Sequence, residues 1–433
     1  MAAYYPQGYK VPLANGSQAV IKKKLGEGGQ GVVYLVELGG KDYALKWYHK
    51  GSVHDPDAFY RNLENNIAKG APTKAFLWPL YITKRSDDSF GYIMDLRPQN
   101  YREFSEFLLA RTRFTSLTAV TKAALNITNG FRELHRSGFS YQDLNDGNFF
   151  IDPNTGDVLI CDNDNVAPYG ESLGIAGKAR YMAPEVVRNM KRPDAMTDRF
   201  SLTVVLYRLL FLDHPLEGKK VVETPCLTEA LELKYYGKEP VFVYDPTDDS
   251  NRPVRGVHPN EMRLWGMYPE FVRKKFIKAL SKECMTGTET RPTDNEWQLT
   301  FSRLRDCIVK CSCGEETFLD LGGSDSKCLN CGRIIPKPAL LSCHKDKYIL
   351  PMYPGVKIYR LHIDSSVDDY NEVVGRVVSN PNDPTLIGIL NVSDIVWNIE
   401  TQKGEIRPLE KGKLVPVPAV KAIHFPNGTA VIE

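Results

Sequence analysis

A polar segment in the middle of the chain, Asp143 to Asn148, constrains the fold more than any other feature of the sequence. A second polar segment follows at Asp162 to Asp164, and two apolar runs lie between them, Phe149 to Ile151 and Val158 to Ile160. Such runs are typical of short buried strands that present polar groups at their ends. We therefore expect two strands that bring two carboxylates and an amide into one site.

The two carboxylates and the amide match the requirements of phosphoryl transfer. That reaction needs a carboxylate that accepts the proton of the attacked hydroxyl, and an amide and a second carboxylate that hold magnesium. A chance turn rich in Asp and Asn would explain either segment alone. It does not explain both segments at this spacing behind a glycine-rich loop and a lysine-bearing strand.

A glycine-rich loop near the N-terminus is the candidate phosphate cradle. Gly26, Gly28 and Gly31 let a backbone approach phosphate oxygens without an intervening Cβ. Lys46 follows on a strand-like run that would aim its ammonium at the same phosphates. Glu64, on the next helical stretch, is the expected ion-pair partner of Lys46. The alternative for Glu64 is a solvated carboxylate on a helix face.

The spacing of apolar residues changes along the first two thirds of the chain. Residues 18–49 have the pattern of short strands with glycine turns. Leu117 to Leu134 instead carry apolar residues at alternating steps of three and four, which predicts one face of a long helix. A small β-rich lobe followed by a mainly helical lobe, an α+β fold, is therefore expected.

Three further motifs complete an ordered set that resembles the eukaryotic-like, Hanks-type serine/threonine protein kinases. Gly177 to Glu185 resembles the substrate-docking segment that ends in Ala-Pro-Glu. Asp198 resembles the aspartate that begins a buried central helix and braces the catalytic loop. Arg291 resembles the late arginine that pairs with Glu185. The resemblance covers residues 20–305 and implies a bilobal protein kinase fold.

The resemblance assigns roles to residues at matching positions. Asp143 would be the catalytic base, Asn148 and Asp162 would hold Mg²⁺ or Mn²⁺, and Lys46 with Glu64 would position the phosphates of ATP. Gly26, Gly28 and Gly31 would bind the phosphates. Met94 would be the gatekeeper, and Asp95, Leu96 and Arg97 would form the hinge that faces adenine. Val33, Ala44 and Phe150 would sandwich the adenine ring. Ordinary core packing is the alternative for the last three.

The catalytic loop departs from the family's pattern in a way that bears on regulation. Tyr141-Gln142 stands where the family has His-Arg before the catalytic Asp. Without that arginine, a phosphorylated activation segment has no cationic partner there. Tyr169 and Ser172 are the clear hydroxyls ahead of Tyr181. We therefore expect activity that does not depend on phosphorylation of this segment.

Two other departures change the charge of the site. Asn145 stands in place of a lysine, and Asn163-Asp164 stands in place of Phe-Gly. The loss of a cation and the gain of an anion predict a higher demand for divalent metal, because catalysis must neutralise the transferring phosphoryl group. The alternative is that Asp164 points into solvent and another cation, such as Lys178, fills the gap.

Two cysteine pairs after the helical lobe look like a zinc ribbon. The pairs Cys311-Ser312-Cys313 and Cys328-Leu329-Asn330-Cys331 are each followed by a glycine that can take the required turn. Four thiolates suit Zn²⁺ in a closed structural site. The first pair is one residue shorter than usual, so Cys307 or Cys343 is an alternative ligand. Reduced cysteines packed as small apolar side chains are the alternative to a metal.

These features divide the chain into three predicted domains. The kinase domain covers residues 1–305, with an N-lobe at 18–97 and a C-lobe at 98–305. The zinc ribbon covers residues 306–340. A β-rich domain at 345–433, a small sandwich or barrel, ends the chain.

The β-rich tail carries two weaker resemblances. Gly375-Arg376 with Asn391 to Ser393 faintly resembles phosphopeptide-binding forkhead-associated domains, and a plain structural β-domain is the alternative. The whole layout is similar to bacterial kinases thought to work beside a von Willebrand A-type protein and a metal-dependent phosphatase. That resemblance implies such partners, besides a protein substrate.

The charge and the N-terminus of the chain indicate which partners and which location to expect. A net charge of +2 on 433 residues gives no signal for nucleic acid or membrane surfaces. The N-terminus lacks a signal segment, which makes the cytoplasm the expected location.

A catalytically weak or inactive nucleotide-binding scaffold is an alternative function, motivated by the departures above. A small-molecule phosphotransferase is a third, and the docking segment with Arg291 disfavours it.

Overall fold

The chain divides into two compact units. The computed structural model describes residues 5–85, 89–171, 173–174, 177–321 and 326–433. The first unit comprises residues 1–115, 123–264 and 274–297, and the second comprises residues 116–122, 265–273 and 298–433. The predicted ribbon and the predicted β-rich tail therefore belong to one unit, and the predicted boundaries between the three domains stay predictions.

The β-rich lobe is an antiparallel sheet with one helix. Its elements are β1 (Lys10–Pro12), β2 (Gln18–Glu27), β3 (Gly31–Leu38), β4 (Lys41–Tyr48), α1 (Pro56–Lys69), β5 (Tyr81–Ile82) and β6 (Gly91–Asp95). The strand order is β1-β2-β3-β4-β6-β5. Helix α1 begins where the Asp55 side chain accepts a hydrogen bond from the Ala58 N–H at 2.9 Å, with Pro56 in the first turn. The expected small β-rich lobe is therefore present.

The next part of the chain is mainly helical, as its periodicity predicts. Its strands are β7 (Arg102–Glu103), β8 (Phe139–Ser140), β9 (Phe149–Ile151), β10 (Val158–Ile160) and β11 (Ala167–Pro168). Its helices are α2 (Phe104–Leu108), α3 (Leu117–Arg136), α4 (Pro184–Val187), α5 (Ala195–Phe211), α6 (Lys219–Val222), α7 (Glu229–Glu232), α8 (Pro259–Met267), α9 (Glu270–Ala279), α10 (Lys282–Thr286) and α11 (Asp294–Asp306). Strands β9 and β10 pair, which places the two polar segments of the sequence side by side.

Helix α5 is the central buried helix of this lobe. The Asp194 side chain caps it by accepting from the N–H groups of Met196 and Thr197. Nearly every residue from Phe200 to Phe211 is buried, so the helix is apolar on all faces. Among the described residues, no helix is long and apolar enough to cross a membrane.

The second unit is rich in strands. Its remaining elements are β12 (Ile308–Lys310), β13 (Glu316–Phe318), β14 (Ser326–Lys327), β15 (Ile334–Ile335), β16 (Leu340–Cys343), β17 (Tyr348–Pro351), β18 (Lys357–Tyr359), α12 (Arg360–Ile363), β19 (Val373–Ser379), β20 (Ile387–Asn391), β21 (Trp397–Thr401), β22 (Ile406–Leu409), β23 (Leu414–Pro416), β24 (Val420–Phe425) and β25 (Gly428–Ile432). Strands β12–β13 and β14–β15 form two short hairpins, and the later strands form a six-stranded and a four-stranded sheet.

The two larger sheets pack through a glycine. A Cβ on Gly375 of β19 would lie 2.5 Å from the ring of Trp397 of β21, so only glycine leaves room for the indole. Asn427-Gly428 between two β-favouring runs is typical of a hairpin turn, and the β24–β25 hairpin forms there. The alternating residues from Val356 to Ile363 are typical of a strand, but α12 replaces the strand in the second half of that segment.

Asn391 and Ser393, two residues of the forkhead-associated resemblance, form a buried turn. Asn391 is fully buried, and its Nδ2 donates to the carbonyls of Ile395 and Leu409 at 2.8 and 2.9 Å. The Asn391 Oδ1 accepts from the N–H and hydroxyl of Ser393. These bonds give both side chains a structural role, and a phosphopeptide site stays a prediction.

Candidate active site

Lys46 lies at the centre of a buried polar cluster. Strand β4 carries it, and only 7% of the residue is exposed. Its Nζ donates to Asp164 Oδ2 at 2.7 Å, to Asp162 Oδ1 at 3.1 Å and to Gln30 Oε1 at 3.2 Å. Burial opposes the charge of the ammonium, but the attraction of Asp164 and Asp162 outweighs it and raises the pKa of Lys46.

Asp164 is a fully buried carboxylate with three hydrogen-bond donors. Besides Lys46, it accepts from the hydroxyls of Tyr48 at 2.6 Å and Tyr92 at 3.2 Å. The sequence analysis did not identify either tyrosine as part of the site. Burial, followed by the Asp164 charge, raises the pKa of both tyrosines, which keeps them neutral donors. The alternative in which Asp164 points into solvent is therefore excluded in this structure.

The expected ion pair between Lys46 and Glu64 is not formed in the described structure. Glu64 lies on the exposed side of α1, and the buried face of that helix carries Asn62 and Asn66. Both asparagines donate their Nδ2 to the Val166 carbonyl, at 2.8 and 2.9 Å. Residue 64 is two positions from each asparagine, about 200° around the helix, so it cannot share their face. Asp164 holds Lys46 instead.

The catalytic loop brings Asp143 and Asn148 together through Asn145. The Asn145 Nδ2 donates to Asp143 Oδ1 at 3.2 Å, and the Asn145 N–H donates to Asn148 Oδ1 at 2.7 Å. Burial, partly offset by that hydrogen bond and by the Lys178 charge, raises the pKa of Asp143. A carboxylate with a raised pKa is a better proton acceptor at neutral pH.

Lys178 occupies the position left by the missing lysine of the catalytic loop. Its Nζ donates to Asn145 Oδ1 at 3.0 Å, while Asn145 contacts Asp143. The structure therefore contains the alternative cation considered from the sequence. The expected excess demand for divalent metal stays a prediction, and Lys46 against Asp164 and Lys178 against Asn145 are the cations that oppose it.

Tyr141 and Gln142 form hydrogen bonds with backbone groups of the segments that follow the catalytic loop. The Tyr141 hydroxyl donates to the Cys161 carbonyl and thereby joins the catalytic loop to the segment before Asp162. Gln142 has a positive φ of 68°. Its Nε2 donates to the Glu171 carbonyl at 2.7 Å, and its Oε1 accepts from the Leu173 N–H at 3.2 Å. A neutral amide therefore holds the activation segment by its backbone, on both sides of Ser172, which itself lies outside the described residues.

Asp162 and Asn163 have opposite environments. Asp162 adopts a left-handed backbone with φ 54°, and its side chain remains 42% exposed. Asn163 is fully buried, and its Nδ2 donates to the carbonyls of Leu77 and Ile160 at 2.8 and 2.9 Å. The Cys161 N–H donates to the Asn148 carbonyl at 2.8 Å. These bonds hold Asp162, which accepts from Lys46, on a segment whose backbone is bonded to Asn148.

The predicted adenine-binding residues lie in one apolar cluster. Ala44 and Met94 are buried in it, and Val33 and Phe150 pack against it as partly buried side chains. Asp95 and Leu96 are exposed at the end of β6. The Arg97 guanidinium, which the sequence analysis placed in the hinge, lies 4.2 Å from the centroid of the Phe150 ring.

The three glycines of the loop have different surroundings. A Cβ on Gly31 would lie 2.2 Å from the Trp47 carbonyl oxygen, so sheet packing alone demands glycine there. A Cβ on Gly26 or Gly28 would meet no atom within 4 Å. The backbone at these two positions is therefore open to a phosphate group, which fits the predicted role.

The predicted supporting residues form bonds around the catalytic loop. Asp198 accepts from the N–H groups of Tyr141 at 2.7 Å and Gln142 at 3.3 Å. Arg291 binds Glu185 with two parallel hydrogen bonds of 2.8 Å each. These contacts are the ones that the kinase resemblance implies.

A separate candidate metal centre lies in the second unit. The Sγ atoms of Cys311, Cys313, Cys328 and Cys331 all lie within 4.8 Å of one another. The closest pairs are 3.6 and 3.7 Å apart. Tetrahedral Zn²⁺ with Zn–S bonds near 2.3 Å requires sulfur separations of about 3.8 Å, so the four thiolates fit the ion.

The loops around this cluster favour thiolates. Gly314 and Gly332 have positive φ values of 95° and 71°. The backbone N–H of Cys313 lowers the pKa of Cys311 to about 6. Cys307 and Cys343, the alternative ligands, are buried and lie outside the cluster of four.

Comparison with known proteins agrees with this geometry. The protein kinase domain family matches residues 19–292, more than half of the chain. Protein kinase C delta type from Mus musculus is 30% identical over 204 residues, which are 46% of this chain and 30% of that protein. G protein-coupled receptor kinase 2 from Caenorhabditis elegans is 27% identical over 233 residues, 50% of this chain and 32% of that protein.

The curated relatives are longer than the aligned region. The chain aligns with about a third of the length of these curated relatives. A solved structure, a double mutant of the Mycobacterium tuberculosis PknI kinase domain, aligns with 70% of this chain and 100% of that chain, with 16% identity and a TM-score of 0.44. On the family match, the chain belongs to the protein kinase family.

The charge of His135 predicts a pH-dependent stability. His135 lies between Asp294 at 2.9 Å and Asp198 at 3.2 Å. Burial opposes its charge, but the two carboxylates outweigh burial and raise its pKa to about 9. Because the folded pKa exceeds the unfolded value, the stabilisation is complete below about pH 6.5 and is lost as the pH rises through about 9.

His135→Gln should therefore lower the free energy of unfolding by about 2–3 kcal/mol more at pH 6 than at pH 9.5. Urea unfolding at the two pH values measures the difference. The exposed His54→Gln is the matched control. Equal losses at both pH values for His135→Gln would contradict the charge assignment.

Proposed function

We propose that the protein transfers the γ-phosphate of ATP to serine or threonine hydroxyls of itself or of a partner protein. The observation that carries the proposal is the set of contacts that joins its four residues: Asp162 accepts from Lys46, and Asn145 donates to both Asp143 and Asn148. The order of these residues along the chain matches the order of the groups that protein kinases use for phosphoryl transfer. The docking segment ending at Glu185 supports a protein substrate.

Each residue has a definite task in this proposal. Asp143 accepts the proton of the attacked hydroxyl, and Asn145 orients it by donating to Oδ1. Asn148 and Asp162 would hold Mg²⁺ or Mn²⁺, which neutralises charge on the phosphates. Lys46 binds phosphate oxygens. Lys178 supplies the positive charge near the transferring group.

A catalytically weak or inactive nucleotide-binding scaffold is the second candidate. One observation favours it: Lys46 already uses its hydrogen-bond donors on Asp164, Asp162 and Gln30. A phosphate group must displace some of these contacts to reach the ammonium. The assay below separates the two candidates by measuring turnover and ATP binding independently.

We also propose that the four-cysteine cluster is a structural zinc site. Two observations support this: the sulfur separations fit a tetrahedral ion, and backbone N–H groups stabilise the thiolates. Zn²⁺ would crosslink the β12–β13 and β14–β15 hairpins, because each pair of cysteines lies on one of them.

The second unit is proposed to serve partner recruitment. The domain layout is similar to bacterial kinases that work beside a von Willebrand A-type protein and a metal-dependent phosphatase, and we propose such partners here. A cytoplasmic location and the absence of nucleic-acid or membrane binding remain predictions from composition.

Asp143→Asn should reduce phosphate transfer by about 10²–10⁴-fold, because it removes the proton acceptor. Transfer is measured with labelled ATP and Mg²⁺ or Mn²⁺, and ATP affinity by equilibrium titration. Asp394→Asn, a highly exposed residue in the second unit, is the control. Wild-type turnover in Asp143→Asn would refute the assignment. Wild-type protein that binds ATP without turnover would favour the scaffold.

Lys178→Gln should raise the Mg²⁺ concentration that gives half-maximal rate, because it removes a cation beside Asn145. Adding Asn145→Lys to this variant should restore the wild-type requirement. Lys191→Gln, a surface lysine paired with Asp194, is the control. An unchanged metal requirement in Lys178→Gln would show that this lysine does not compensate for the missing one.

Purified protein should contain about one Zn²⁺ per chain, and Cys313→Ser should lose most of it. Elemental analysis after preparation without chelators measures the content. Cys226→Ser, an exposed cysteine outside the cluster, should retain the metal. Protein without zinc, or equal contents in both variants, would argue against the site.

A further inference from the structure

We infer that Asp164, and not a carboxylate of helix α1, is the residue that positions Lys46 for catalysis. The inference rests on the proposed kinase function and deepens it. In the family pattern stated above, a glutamate of the helix holds the lysine, and a glycine occupies the position of Asp164. Here the carboxylate has moved to the segment that also carries the metal-binding Asp162.

The geometry gives Asp164 one well-defined position. The residue is fully buried, and its oxygens accept from Lys46, Tyr48 and Tyr92. The preceding Asn163 is held by two backbone carbonyls, which prevents the segment from rotating. A buried carboxylate with three donors is stable only in this arrangement, because removing a donor leaves charge uncompensated.

Helix α1 provides no competing carboxylate. Its buried residues are Phe59, Asn62, Leu63 and Asn66, all uncharged. The two asparagines bind the Val166 carbonyl, so α1 contacts the metal-binding segment through amides. Helix α1 therefore supports the segment that carries Asp164 and makes no charged contact with Lys46 through its buried residues.

The contact with Asp164 is compatible with nucleotide binding. Lys46 has three N–H donors, and only the one directed at Asp164 points to a fully buried group. The other two bind Asp162, which is 42% exposed, and Gln30, which is half-buried. Phosphate oxygens can replace Gln30 and Asp162 while Asp164 keeps the lysine in place.

The titratable groups around Lys46 come from three elements. Asp162, Asp164 and Cys161 lie on the segment that follows β10, Tyr48 lies on β4 and Tyr92 lies on β6. The buried polar residues of α1 are Asn62 and Asn66, which do not titrate. Removing the Asp164 carboxylate should therefore free the Lys46 ammonium from the fully buried acceptor that fixes its position.

The test compares Asp164→Asn with Glu64→Gln, and Asp57→Asn, an exposed residue of α1, is the matched control. The first measurement is labelling of Lys46 by an amine-reactive ester between pH 7 and 10, quantified by mass spectrometry. The second is the pH profile of kcat/KM for ATP with a protein substrate. Labelling does not require catalysis, so it separates this inference from the proposed function.

Asp164→Asn should label faster than wild type, because the Lys46 amine is no longer held against a buried carboxylate, and its kcat/KM should fall on the order of 10²-fold. Glu64→Gln should match wild type in both measurements. A wild-type enzyme without turnover would refute the proposed function, while faster labelling of Asp164→Asn would still support Asp164 as the partner of Lys46.

Two outcomes would overturn the inference. In one, Asp164→Asn labels like wild type. In the other, Glu64→Gln changes labelling or lowers kcat/KM, which would place Glu64 against Lys46 in the working enzyme. If Asp164→Asn does not fold, Tyr48→Phe, which removes one hydroxyl donor from Asp164, takes its place, and wild-type labelling with wild-type kcat/KM in that variant would overturn the inference.

Discussion

The buried ion pair between Lys46 and Asp164 organises the active site. It joins a strand of the β-rich lobe to the segment that carries Asp162, and it draws Tyr48 and Tyr92 into the same network. Two charges that leave water carry a desolvation cost of several kcal/mol each, and only good geometry with additional donors compensates it. The surrounding residues meet that condition, so the lysine, the metal-binding carboxylate and the sheet are held as one body.

At the other departures from the family's pattern, the substituted residue or a nearby side chain makes a new contact. The Tyr141 hydroxyl reaches a backbone carbonyl, Gln142 binds the activation segment through its amide, and Lys178 approaches from that segment to stand beside Asn145. Each replacement keeps a connection while changing the group that makes it. A chain can therefore lose several familiar side chains without losing the shape of its cleft.

The sequence predicts the parts of this site that are fixed by short-range spacing. Asp143, Asn148 and Asp162 follow from two polar segments joined by paired strands, and the four cysteines follow from two turns. Glu64 shows where such reasoning fails. A shift of two residues along a helix moves a side chain to the opposite face, and the sequence alone does not reveal which face is buried. Tyr48 and Tyr92 were missed because strand aromatics are normally apolar core, and only the buried Asp164 gives their hydroxyls a role.

The two hydrogen bonds of Asn163 have a consequence for inhibitor chemistry. In kinases with a phenylalanine at this position, an apolar side chain occupies the pocket, and a ligand that displaces it exchanges one apolar contact for another. Here a ligand must separate an amide from the carbonyls of Leu77 and Ile160, and leaving a buried polar group unpaired costs about 1–3 kcal/mol. Compounds that compete at the nucleotide cleft avoid that cost. Those that reach behind it must carry hydrogen-bonding groups of their own, which gives a basis for selectivity between this protein and its relatives.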